Sequence, residues 1–235
     1  MVDYKNFFIN RLKGLASRVM ANPRRWYHKN KAKTCYKDKC SIICNNCTGG
    51  VILHDLGLKF DTPTINTLFY SADDFIFFVS NIREFSKCNV FKVDDSNYSY
   101  PVGGIKLNGR VVKIGFVHYS NFEEAKSKWI ERFTRVDFEN MIILWEGKGI
   151  GEKELNSLNA LKEKKMVISS INKTLSNLFS FYEGGALYDN WFPGKILEYK
   201  NIFGLKRFLD DFDYISLIND GIKNWLKNEH NNSNV

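Results

Sequence analysis

A three-layer, Rossmann-like α/β domain with a mixed, mostly parallel sheet is what the chain predicts, preceded by a basic amphipathic helix. From residue 40 to residue 169, short apolar runs of strand length alternate with segments of helical periodicity. One such run, Cys40 to Cys44, stops in the polar, glycine-bearing turn Asn45-Asn46-Cys47-Thr48-Gly49-Gly50 and then opens a helix. α/β proteins place their chemistry at turns of this kind. The net charge lies ahead of the alternation. Residues 1–33 hold nine basic side chains against Asp3 alone, which accounts for the net +8 and leaves 25 basic and 25 acidic residues in the remainder. A neutral main domain argues against a whole-body nucleic-acid binder.

Residues 4–20 carry Phe7, Phe8, Leu12, Leu15, Ala16, Val19 and Met20 near one stripe at helical spacing, with Asn22-Pro23 expected to end the helix. The basic segment Arg24 to Lys29 contains Trp26 and Tyr27, a combination suited to an anionic membrane surface. The competing reading packs the stripe on the protein's own domain. Residues 1–33 are therefore read as a basic arm, 34–227 as the α/β domain and 228–235 as a disordered tail.

The first core strand is expected over 40–45, followed by a short helix to Asp55 capped by Gly57 in the left-handed region. Ile65 to Tyr70 reads as a second strand. Ser71-Ala72-Asp73-Asp74 has the form of a capping box and starts a helix with Phe75, Phe78, Val79 and Ile82. Val90-Phe91 and Val102 to Leu107 are strands. Asn108-Gly109 is a hairpin signal leading into a strand from Val111 to His118. Ser120-Asn121-Phe122-Glu123 is another capping box and opens a helix with Phe122, Ala125, Trp129 and Phe133 on one face. Met141 to Trp145 is a strand, 147–151 a glycine-bearing loop, 152–161 a helix and 165–169 a strand. Residues 205–213 and 214–227 are expected to be two terminal helices.

No apolar run approaches the roughly 20 residues that span a bilayer, and no secretory signal is read at the N-terminus. The expected location is cytoplasmic, with residues 1–33 as the means of peripheral attachment at the inner face of the membrane. Five cysteines in such a setting suggest reduced thiols. Cys35, Cys40, Cys44 and Cys47 invite a metal reading, but Cys40 and Cys44 fall on an expected buried strand and no second CxxC or His pair follows. No metal site is assigned.

Cys47 is the candidate nucleophile. At a turn preceding a helix, backbone amides and the helix dipole are expected to lower its pKa and hold an oxyanion. His118, ending another core strand, is the candidate base. The competing reading is a structural cysteine and a histidine that satisfies backbone groups. Asn45, Asn46, Thr48, Gly49 and Gly50 suit ligand binding, since glycine lets the backbone approach closely and helix-start amides suit phosphate or carboxylate. The turn is neither a Walker loop nor GxGxxG, so no cofactor is specified and its identity stays unknown. Asp61, Asp73, Asp74, Glu123 and Glu124 include further possible bases. Arg132 and Arg135 are placed to reach an anion. Tyr182, Tyr188, Trp191 and Phe192, near Gly184-Gly185, form either a sugar-stacking platform or aromatic core under a loop.

The motifs Ile42 to Gly50, Leu56-Gly57-Leu58 with Thr62-Pro63-Thr64, Tyr100-Pro101-Val102-Gly103 and His118 to Ala125 with Trp129 and Arg132 stand in a characteristic order. In this they resemble an uncharacterised bacterial domain-of-unknown-function family, often filed as putative exopolysaccharide-biosynthesis proteins, over roughly residues 38 to 215. The resemblance implies an α/β fold and a setting in surface-polysaccharide assembly, where some members carry acetyltransferase labels. The family pattern has serine at the position of Cys44 and often an aromatic at that of Thr48, so the Cys44-x-x-Cys47 spacing is peculiar to this chain. The function expected from it is acyl (acetyl) transfer to a sugar or polysaccharide precursor, with Cys47 or its turn handling the acyl or phosphate group. The alternatives are a non-catalytic scaffold of a polysaccharide-assembly complex, or a glycosyl- or phosphotransferase using a nucleotide-sugar.

Overall fold

The computed structural model describes the backbone of residues 4–169, 179–181 and 191–220, and side chains within 15–169 and 191–219. The α/β class holds, but the strands form two sheets rather than one mixed sheet. The first is parallel throughout, in the order β1 (Ser41–Cys44), β6 (Met141–Glu146), β7 (Lys164–Ile168), β8 (Phe179–Phe181). The second is antiparallel, in the order β2 (Leu68–Phe69), β5 (Arg110–Gly115), β4 (Val102–Leu107), β3 (Val90–Val93). Helices α2 (Thr48–Asp55), α3 (Ala72–Ser80), α4 (Ile82–Phe85), α5 (Phe122–Phe133), α6 (Glu152–Asn159) and α7 (Tyr214–Asp220) connect and follow the strands.

The parallel sheet is covered on both faces, which is why its strands read as unbroken apolar runs. Ile43, Ile143, Trp145 and Val167 enter one core with α3, α5, α6 and the inner face of the antiparallel sheet. Their neighbours Ile42, Cys44, Ile142, Leu144, Met166 and Ile168 enter a second core with Ile52 and Leu53 of α2 and Tyr214, Ile215, Leu217 and Ile218 of α7. The sheets meet where the amide of Phe69 in β2 donates to the carbonyl of Asn45, one residue past β1 (2.8 Å).

Local signals account for the element boundaries. Ser71 caps α3, its Oγ accepting from the amide of Asp74 (3.1 Å). Asn121, rather than Ser120, caps α5 through the amide of Glu124 (2.9 Å), while the Ser120 hydroxyl donates to the Glu124 carboxylate. Asn108 and Gly109 both have positive φ, the signature of the tight β4–β5 turn. Gly57 closes α2 at φ +68°, with the amides of Gly57 and Leu58 reaching back to His54 and Leu53.

Four boundaries differ from expectation. The strand expected over 65–70 contracts to β2, because Asn66 takes positive φ and breaks the extended run. The strand ending at His118 stops at Gly115, since Phe116 and Val117 turn to bond Pro101 and Asn66. Residues 205–213 contain a 3-10 turn, Phe208–Asp211, in place of a helix. The N-terminal helix does not end at Pro23 but continues as α1 (Tyr4–Ala32). Side-chain anchors past the proline hold it. Arg24 donates to the carbonyls of Gly204 (3.0 Å) and Ile202 (2.8 Å) and lies 3.6 Å over the ring of Tyr199. Lys31 pairs with buried Asp210 (3.0 Å). The tail 228–235, residues 221–227 of the expected last helix, and the platform residues Tyr182 and Tyr188 lie outside the described residues. Among those that are described, no helix is long and apolar enough to cross a membrane.

Candidate functional site

The turn after β1 is built by two asparagines acting on one strand end. Asn45 extends the β1–β6 ladder with its side chain: Nδ2 donates to the carbonyl of Glu146 (3.0 Å) and Oδ1 accepts from its amide (2.8 Å). Asn46 Oδ1 accepts from the amide of Thr48 (2.9 Å) and so starts α2, while its Nδ2 reaches the Glu146 carboxylate (2.5 Å). Both asparagines are buried and fully committed. They make the turn rigid and leave Cys47 at its tip.

Cys47 and His118 line the same cavity, of about 250 Å³, together with Asn46, Thr67, Leu68, Val117 and the Pro193-Gly194 bend. The two candidate groups do not share the edge of one parallel sheet. They follow strands of different sheets, and the β2 junction brings those sheets together. Thr67 adds an unforeseen feature: the residue lines the cavity, and its buried Oγ has no partner among the described residues. The thiol differs from expectation. Burial pushes Cys47 up to about 11, and among the described residues no cation or helix-start bond offsets it. At pH 7 the thiolate is then roughly one part in 10⁴.

The remaining expected residues are placed as follows. Gly49 and Gly50 serve packing rather than ligand approach: a Cβ on Gly49 would lie 2.7 Å from Cys44 Cβ, and one on Gly50 3.2 Å from Ile65. The absence of side chains lets α2 lie on β1. Gly49→Ala is therefore expected to destabilise the protein by about 1–3 kcal/mol through overpacking against the rigid strand. Chemical denaturation measures this, and an unchanged midpoint refutes the close approach. Thr48 is buried beneath the turn, its Oγ unpartnered among the described residues. Arg132 donates to the Tyr119 hydroxyl (2.5 Å) and does not line the cavity. Arg135 pairs with Asp61 (3.0 Å), and Arg110 with Asp73 and Asp74 (2.6 and 2.7 Å), so these carboxylates are committed to ion pairs. Cys40 and Cys44 are core residues whose thiols burial pushes up to about 12. Trp191 lies over Gly147 and donates its indole N–H to the Glu146 carboxylate (2.8 Å), which makes it a cover for that group.

Glu146 is the residue that sequence reasoning missed. It ends β6 at the carboxyl edge of the parallel sheet and is fully buried. Its carboxylate accepts from Asn46 and Trp191 and, among the described residues, has no cation beside it. Desolvation pushes its pKa up to about 7, with the two donors acting in the opposite sense. The signal was present in the sequence: Met141-Ile-Ile-Leu-Trp-Glu146 is an apolar run closed by one charge, just ahead of a glycine loop.

An α/β protein with a small cavity beside the carboxyl edge of a parallel sheet is the class that fold and site define. The chain belongs to the family described as "Domain of unknown function (DUF1919)", whose model matches residues 21–219. The match begins inside α1, so the second half of that helix is part of the family domain. A Haemophilus influenzae protein described as "Uncharacterized protein" is 29% identical over 212 residues, covering 90% of this chain and 99% of the relative.

Proposed function

We propose that the protein is a transferase of bacterial surface-polysaccharide assembly that moves an acyl group onto a sugar hydroxyl in the cavity between Cys47 and His118. The observation that carries this reading is the composition of the cavity wall. His118, Cys47 and Thr67, which bear an imidazole, a thiol and a hydroxyl, line one apolar space of about 250 Å³. That volume suits an acyl group with one sugar ring better than a whole nucleotide-sugar, since drug-sized ligand sites run from roughly 300 to 1,000 Å³. The polysaccharide setting comes from the motif resemblance. The parallel sheet, covered on both faces, is read as a three-layer Rossmann-like unit that presents its carboxyl edge to the ligand.

With its thiol held up by burial, Cys47 serves here as a neutral wall rather than an acylated intermediate. The sugar hydroxyl attacks the carbonyl of an acyl thioester, His118 takes the hydroxyl proton, and the thiolate leaves and recovers that proton. His118 is exposed, so its replacement leaves the core intact. His118→Ala is expected to lower acyl transfer by on the order of 10²–10⁴-fold with the melting temperature unchanged. Thermal shift against acetyl-CoA and nucleotide-sugars tests the ligand class, because a ligand of the native state raises the melting temperature. A response to nucleotide-sugars alone moves the assignment to glycosyl or phosphoryl transfer. No response to either class leaves a binding or scaffold protein and refutes the enzyme reading.

A further inference from the structure

We infer that the outward face of α1 docks on an anionic phospholipid surface. Leu15, Val19 and Trp26 are spaced by four and seven residues, so they share one stripe of the helix. They are 60, 62 and 67% exposed, in a protein whose other large apolar groups are mostly buried. Beside this stripe runs a second one of Arg18, Arg25 and Lys29, all exposed. The opposite face is the one that holds the helix to the protein, through Arg24, His28 and Lys31. The exposed stripe is therefore not the packing face.

Charge identifies the occupant. α1 contains no acidic residue. Arg25 and Lys29 also border a cleft of about 560 Å³ between α1 and the end of α2, where His28 and His54 add imidazoles and Asp55 is the one acidic side chain among the described residues that line it. Asp55 already pairs with buried Arg207, so it does not neutralise the rim. A second copy meeting this face would set like charges against each other. Phospholipid headgroups supply the opposite charge, and the acyl boundary accepts an aliphatic–tryptophan stripe. Lipid phosphates then pair with Arg18, Arg25 and Lys29, the last two holding a headgroup at the cleft mouth. The continuation of α1 past Pro23 matters here, because it brings Trp26 into line with Leu15 and Val19 on one helix.

Cosedimentation of the full-length protein with vesicles tests the inference. One set contains phosphatidylcholine alone, the other phosphatidylcholine and phosphatidylglycerol in roughly equal parts. Binding is expected only to the second and is expected to weaken as salt shortens the screening length. Replacing Arg18, Arg25 and Lys29 together by glutamine is expected to reduce partitioning on the order of 100-fold. Val19→Ser with Trp26→Ser is expected to reduce it on the order of tenfold. All five positions are exposed, so unchanged melting curves verify that the variants fold. Equal binding to both vesicle types, or variants that bind like the parent, overturns the inference. So does a parent dimer in solution that Trp26→Ser dissociates, since the face would then belong to a second copy.

Discussion

Glu146→Gln is expected to remove most of the loss of stability that the protein suffers between pH 5 and pH 8. In the fold Glu146 keeps its proton up to about pH 7, against 4.5 for an ordinary glutamate. A carboxyl raised in this way contributes stability that is whole below pH 4.5 and is lost as pH rises through 7. The interval corresponds to roughly 3 kcal/mol. The group is fully buried, so solvent screening does not reduce that figure. Glutamine carries no charge to desolvate, although its amide cannot accept from both Asn46 and Trp191. The variant should therefore start level with or slightly below the parent at pH 5 and overtake it by pH 8. His28 titrates in the opposite sense, because burial and the nearby Arg207 hold its pKa below the usual value. It contributes equally to both proteins and cancels in the difference. Urea denaturation across this range measures the effect, and parallel curves for the two proteins would rule out the uncompensated carboxylate.

Asp210→Ala is expected to cost about 3 kcal/mol, the low end for breaking a buried pair, because Lys31 loses its carboxylate while Arg207 keeps Asp55 as a counterion. The Asp210 side chain is fully buried and accepts from the backbone amide of Arg207 (2.8 Å), from Arg207 Nε (3.4 Å) and from Lys31 (3.0 Å). Burial already draws Lys31 below its ordinary pKa, and Asp210 opposes that shift most, with a smaller contribution from Asp213. Removing it frees α1 from the domain at Lys31. Trypsin should then cut at Arg24 to Lys31 faster than in the parent. Asp210→Asn keeps an acceptor for the Arg207 amide, so it should recover about 1 kcal/mol, the ordinary value of such a cap. A variant within about 1 kcal/mol of the parent would show that the network adds little beyond packing.

Among the described residues, much of the secondary structure was legible because its causes are local. The cap at Ser71, the Asn108-Gly109 turn, the Gly57 stop and the buried stripe Phe122-Ala125-Trp129-Phe133 depend on residues a few positions apart. The Asn46-Cys47 turn was found for the same reason. Its partners were harder to read. Cys47 and His118 do meet at one cavity, but through a two-residue strand that local pattern overstated. Gly49 and Gly50 looked like a ligand cradle, because a glycine pair gives no sign of whether a ligand or a neighbouring strand fills the space.

The sequence by itself determined the α/β class, the buried strands and the concentration of positive charge in residues 1–33, since periodicity and composition carry that information directly. Only the tertiary structure decided how the strands divide between two sheets, because register and pairing depend on residues about a hundred positions apart, as with Asn45 and Glu146. It also decided the state of the ionisable groups. The proton on Glu146, the raised thiol of Cys47 and the anchoring of α1 past Pro23 all follow from what the fold removes from water, a quantity no local pattern specifies.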